Sequence, residues 1–129
     1  MSAESVWEEF EIGVWAWADL WDVLNTAAEH GWAGTPQQTQ RKRQELVSDV
    51  LDLFEKKKER TDVTELEMLL RGLLMQDFCV DAQDGSVEHA ARLLSTMAFD
   101  CFVKQDFQGV QVLEERANVS WRLFPGLSV

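Results

Sequence analysis

The chain predicts an all-α fold, a compact bundle of four to five helices, and three observations carry that expectation. Apolar residues recur at helical period through most of the 129 residues. No alternating strand pattern of useful length occurs, and Gly, Pro, Asp and Thr punctuate the periodic runs at short intervals. A chain of this length is about one domain, assigned to residues 1–117, and the stretch 118–129 reads as a loosely docked tail.

The first helix is expected from about Ser5 to His30. Val6, Trp7, Phe10, Val14, Trp17, Leu20, Trp21, Leu24 and Ala28 fall on one side of it. Gly13 lies within that stripe, which suggests close approach of a neighbouring helix, and Gly31, Gly34 and Pro36 stop the element. A second helix starts with Thr35 as N-cap and Pro36 at the first helical position. Leu46, Val47, Val50, Leu51 and Phe54 form its core face, and Lys56-Lys57-Lys58 suit the negative end of its dipole. A third begins at Asp62, where Asp62 and Glu65 have capping-box spacing, and continues through Val63, Leu66, Leu69, Leu70, Leu73 and Leu74. Asp81 to Gly85 is a loop. Asp84 or Ser86 then caps a fourth helix through Val87, Ala91, Leu94, Met97 and Cys101, and a short fifth runs from about Asp106 to Ala117.

Charge narrows the class of partner. The net charge is −11, from 23 acids and 12 bases. Residues 1–34 hold seven acids and no base, and 61–129 hold eleven acids and five bases. Residues 35–60, with five acids and seven bases, are mildly positive. Such a chain repels nucleic acid and anionic membranes, which need a concentrated basic footprint, and attracts basic proteins. No run approaches the ~20 apolar residues of a membrane span, and the four glutamates without a base in residues 1–12 are unlike a signal or transit peptide.

No catalytic, metal or cofactor site is expected. Cys79, Cys101, His30 and His89 stand alone rather than in the close pairs that structural zinc requires. Gly31-Trp32-Ala33-Gly34 follows a helix, whereas phosphate-binding glycine motifs follow a strand. Two acidic groups instead suggest a protein-binding surface. Glu4, Glu8, Glu11, Asp22 and Glu29 share an arc of about 60° on the first helix, with Asp19 beside them and Trp15 in their midst. That assigns Trp15 to the solvent face, where its indole could meet Arg or Lys. Asp62, Glu65 and Glu67, followed by Asp77, Asp81 and Asp84, bracket the third helix. Met68 and Met75, seven apart, are expected to pack against another helix.

Several features together resemble the WGG-domain family of pre-rRNA-processing proteins. Phe10, Gly13 and Trp21 precede Ala28-Glu29-His30-Gly31-Trp32-Ala33-Gly34, which is similar to the motif that names the family, with Ala33 in place of its second glycine. Leu46…Asp49…Phe54, then Glu65-Leu66-Glu67…Leu73-Leu74…Asp77-Phe78, then Val80 and Asp84-Gly85-Ser86 follow in the family's order across about residues 8–116. The resemblance implies a non-enzymatic escortin. Such a protein takes a small, basic, zinc-binding ribosomal protein of the small subunit from its import receptor, in the nucleus or nucleolus, and passes it to the pre-ribosome. The motif residues Trp21, Gly31, Trp32, Gly34, Asp84, Gly85 and Ser86 are expected to shape turns and fill the core, while the acids face the client. Family members carry a long acidic C-terminal extension, whereas Asn118–Val129 has no acid, a difference that bears on importer release more than on client binding. Read from charge alone, an acidic adaptor for a basic helix or tail in a transcription or chromatin complex is the other reading.

Overall fold

A computed structural model describes residues 2–117; the tail expected at 118–129 lies outside the described residues. Those residues form six α-helices: α1 (Ala3–Leu20), α2 (Asp22–Glu29), α3 (Pro36–Lys57), α4 (Val63–Phe78), α5 (Ser86–Phe99) and α6 (Gln108–Ala117). A 3₁₀ turn, Lys58–Arg60, joins α3 to α4, and α5 runs on into a π-helical turn, Asp100–Lys104.

Local chemistry accounts for most boundaries. Thr35 and Gln38 form a reciprocal capping box at α3: the Gln38 N–H donates to Thr35 Oγ1 at 3.1 Å, and the Thr35 N–H donates to Gln38 Oε1 at 2.9 Å. Asp62 caps α4 by accepting from the Thr64 N–H at 2.9 Å. Asp106 does the same for α6, accepting from the Gln108 N–H at 3.1 Å. Gly85 is the N-cap residue of α5, its φ of 87° being costly for any residue with a Cβ.

The long first helix is in fact two, which accounts for the sixth. Trp21 adopts an extended conformation (φ −69°, ψ 114°) between α1 and α2. The carbonyls freed by the break are answered by side chains. Arg43 of α3 donates through Nη1 to the Ala18 carbonyl at 2.6 Å and through Nη2 to Asn25 Oδ1 at 3.1 Å. Asn25 Nδ2 in turn donates to the Asp19 carbonyl at 3.1 Å. A charged donor aimed at a helix C-terminus from 25 residues away is a tertiary effect that a local periodicity cannot register.

α1 is the central helix, packed against α3, α5 and α6. Phe10, fully buried, meets Phe54 of α3 edge-on at 4.9 Å and Phe102 of the π turn at 5.1 Å. Gly13 sits where a Cβ would come within 2.6 Å of Met97 Sδ and 3.0 Å of Val110 Cγ2, so α5 and α6 approach the α1 backbone closely there. Every residue from Gly13 to Ala18 is buried. Trp15 is among them at 5 % exposure, which corrects its assignment to the solvent face: a helix covered on several sides has no solvent face at mid-length. Trp21 is only half-buried, its ring tilted against that of Trp17 with centroids 4.9 Å apart.

Candidate functional site

The loop after α4 is built to hold its shape. Cys79 enters the left-handed region (φ 56°) and ends α4, and the Val80 N–H returns to the Leu74 carbonyl at 3.0 Å. Arg71 straps the loop from inside the helix, donating to the Ala82 carbonyl at 3.0 Å while ion-pairing with Glu88 of α5. Asp84 accepts from the Ser86 N–H at 3.1 Å. The proximity of Ser86, with its backbone N–H bonded to the carboxylate, holds the Asp84 carboxyl below the usual carboxylate range.

Across from this loop lies the turn between α2 and α3. Gly31 (φ 69°) and Gly34 (φ 107°) supply backbone conformations that other residues rarely adopt. Between them Trp32 turns outward, 46 % exposed and stacked on His30 at 4.7 Å, while Ala33 is buried. That corrects the expectation that Trp32 fills the core: the small residue of the motif goes in and the large one stays out. Lys42 Nζ fixes the turn by donating to the Ala33 carbonyl at 2.8 Å.

Loop and turn enclose a cleft of about 440 Å³. Asp22, Val23 and Thr26 of α2 and Trp32 form one side; Val80, Asp81, Ala82, Gln83, Asp84 and Ser86 form the other. No base lines it. Three carboxylates beside an exposed indole can take an incoming guanidinium or ammonium, whose charge-assisted hydrogen bonds and stacking are both strong contacts.

The remaining expected residues are dispersed. Glu8 and Glu11, with Glu4 and Glu55, line a hollow beside Trp7, and Lys58 Nζ lies over that ring at 4.8 Å. The acidic stripe of the first helix is therefore divided: its α1 part borders the chain's own lysine, and Asp22 belongs to the cleft. Asp62 is engaged in capping, Glu65 is exposed and Glu67 half-buried on α4. Asp77 faces α3, where it acts on Asp49. Met68 and Met75 are 68 % and 60 % exposed, a correction to the expectation that they pack against a neighbouring helix.

A family model described as WGG, pre-rRNA-processing protein TSR2, matches residues 10–92. The chain belongs to this family. Membership places it in pre-rRNA processing and ribosome biogenesis. No curated protein and no solved structure matches the chain. The WGG match runs from α1 into α5 and so includes both sides of the cleft. The residues that correspond to the WGG tripeptide form the turn carrying Trp32. No helix among the described residues is long and apolar enough to cross a membrane.

Sequence reasoning missed one charged feature of this WGG protein. Glu45, Asp49 and Asp52 lie at i, i+4 and i+7 on α3, a spacing that puts them in one row, yet the bases of residues 35–60 hide them in the regional charge. Burial pushes the Asp49 carboxyl above its usual range, and Asp52, Glu45 and Asp77 push it the same way. For a carboxyl raised on folding, the ionised form costs stability at neutral pH, and that cost is absent below the unfolded-state value. Asp49→Asn should therefore raise Tm at neutral pH, by a margin that shrinks to nothing as pH falls towards about 3. Calorimetry across that range checks it; a margin that is flat or grows with acid would contradict the sign.

Proposed function

We propose that the chain is a non-enzymatic escort for a basic, zinc-binding ribosomal protein of the small subunit, receiving it from its import receptor in the nucleus and delivering it to the pre-ribosome. Membership of the WGG family sets the process, and the convergence of Asp22, Asp81 and Asp84 on Trp32 carries the assignment of the client's chemistry. A basic ribosomal protein away from its RNA needs its cations covered by something other than nucleic acid. A chain of net charge −11, with a cleft lined by acids and, among the described residues, by no base, supplies that cover.

The test is direct binding of the purified client to the full chain, followed by competition with its import receptor. Affinity should fall by at least about tenfold between low and high salt, because screening weakens exposed charge pairs. Binding that ignores salt would indicate apolar anchors in place of the carboxylates. Failure to bind the free ribosomal protein at any salt would end the escort reading.

A further inference from the structure

The Trp32 cleft shares a wall with a second hollow: Asp22, Val23, Asp84 and Ser86 line both. The second hollow has a volume of about 560 Å³, within the range of about 300–1,000 Å³ usual for ligand sites. Beyond the shared wall its lining comes from the end of α1, the break at Trp21, α5 and α6. Leu20, Trp21, Leu93 and Leu113 make that part apolar. All four are half-buried, so each leaves part of its apolar surface uncovered.

The two hollows differ in charge. Among the described residues no base lines the cleft, whereas Arg116, in the last turn of α6, stands on the second hollow. Arg116 is exposed and has no ion-pair partner among the described residues. Charge therefore sorts the side chains of an incoming segment. A Lys or Arg is drawn to the three carboxylates of the cleft and away from Arg116, and an uncharged apolar group is free to cover the leucines and Trp21.

We propose that the second hollow is the specificity pocket of the client site. It takes an aromatic or large aliphatic side chain of the client, a few residues from the base that enters the cleft. The inference rests on the escort reading of that cleft and adds to it a rule for which basic segments are held. Carboxylates alone accept any segment rich in Lys or Arg; they raise the on-rate, and an apolar anchor in a pocket makes the choice. A segment lying across Asp22 and Asp84 has the cleft on one side and the apolar hollow on the other, so one ligand fills both. Residues 118–129 of the chain itself offer Trp121, Leu123 and Phe124, but a single base, Arg122, for three carboxylates. A client segment with several bases and an apolar residue among them matches the whole.

The test uses the full chain, isotope-labelled at its tryptophan indole nitrogens, and two short synthetic peptides with the same arginines. One carries Phe between them and the other Ser at each Phe position. The Phe peptide should bind about tenfold tighter, and the ratio should persist as salt weakens both, because apolar contact is not screened. It should move the indole signals of Trp21 and Trp32, whereas the Ser peptide should move that of Trp32 and leave Trp21 in place. Leu113→Gln should remove most of the preference and leave the affinity for the Ser peptide unchanged, which also shows that the variant is folded. Should that variant lose both peptides, the Trp21 signal of the parent chain decides. Equal affinity for the two peptides, a Trp21 signal that ignores the Phe peptide, or a preference that survives Leu113→Gln would overturn the pocket and leave the cleft standing. Tighter binding of the Phe peptide on combining Trp121→Ala with Phe124→Ala would give the hollow to the chain's own residues and overturn it as well. A Trp32 signal that answers neither peptide would overturn the escort reading of the cleft, and this inference with it.

Discussion

Trp15→Ala should lower the unfolding free energy by about 3–5 kcal/mol, the range for truncating a buried large aromatic. Against a typical total of about 5–15 kcal/mol, that leaves a protein unfolded or close to it. The cause is position: Trp15 is 5 % exposed, in the run of α1 from Gly13 to Ala18 that is buried throughout. Trp21→Ala should cost distinctly less, since the ring is half-buried at a helix break and the break is also held by Arg43 and Asn25. Urea unfolding of both variants gives the order. A Trp15 variant as stable as the parent would remove that residue from the core.

Reversing two carboxylates of the cleft should abolish client binding while sparing the fold. Asp22 and Asp81 come from opposite sides of it and are exposed. Like charges brought face to face cost several kcal/mol, which converts to a loss of about a hundredfold or more for Asp22→Lys with Asp81→Lys. The stability cost is small by comparison. Asp22 lies in the first turn of α2, where an acid contributes about 0.3–1 kcal/mol, and Asp81 receives only a 2.9 Å hydrogen bond from Gln83. Trp32→Ala should weaken binding by a smaller factor, about tenfold, through loss of the indole face. Titration calorimetry with Tm measured alongside separates the outcomes. A double variant that binds normally at unchanged Tm would move the client off this cleft.

What the sequence made legible was local. Thr35-Pro36, Asp62 and the glycines at 31, 34 and 85 each state a boundary in the chemistry of a few neighbouring residues, and the structure uses each at a boundary. Gly13 was legible as well, because a glycine inside an apolar stripe has few reasons other than close packing. The misreadings share a different origin. Trp15, Met68 and Met75 were each assigned from one helix considered alone, and their burial depends on how many neighbours that helix has. The break at Trp21 depends on Arg43, 22 residues further on, which donates to a carbonyl of the preceding helix. The cleft was half visible: its acids were singled out, but the pairing of Asp22 with Asp81 and Asp84 needed the break that redirects α2, and Trp32 needed the turn that sends it outward.

The central position of α1 also sets an order of events during synthesis. α1 leaves the ribosome about 90 residues ahead of α6, the helix against which it packs most extensively. At translation rates of about 5–20 residues per second, several seconds separate the two. Throughout that interval a helix carrying Trp7, Phe10, Val14, Trp15 and Trp17 lacks its final cover. Slowing elongation between α1 and α6 should therefore lengthen the time over which cotranslational chaperones can be captured on the nascent chain.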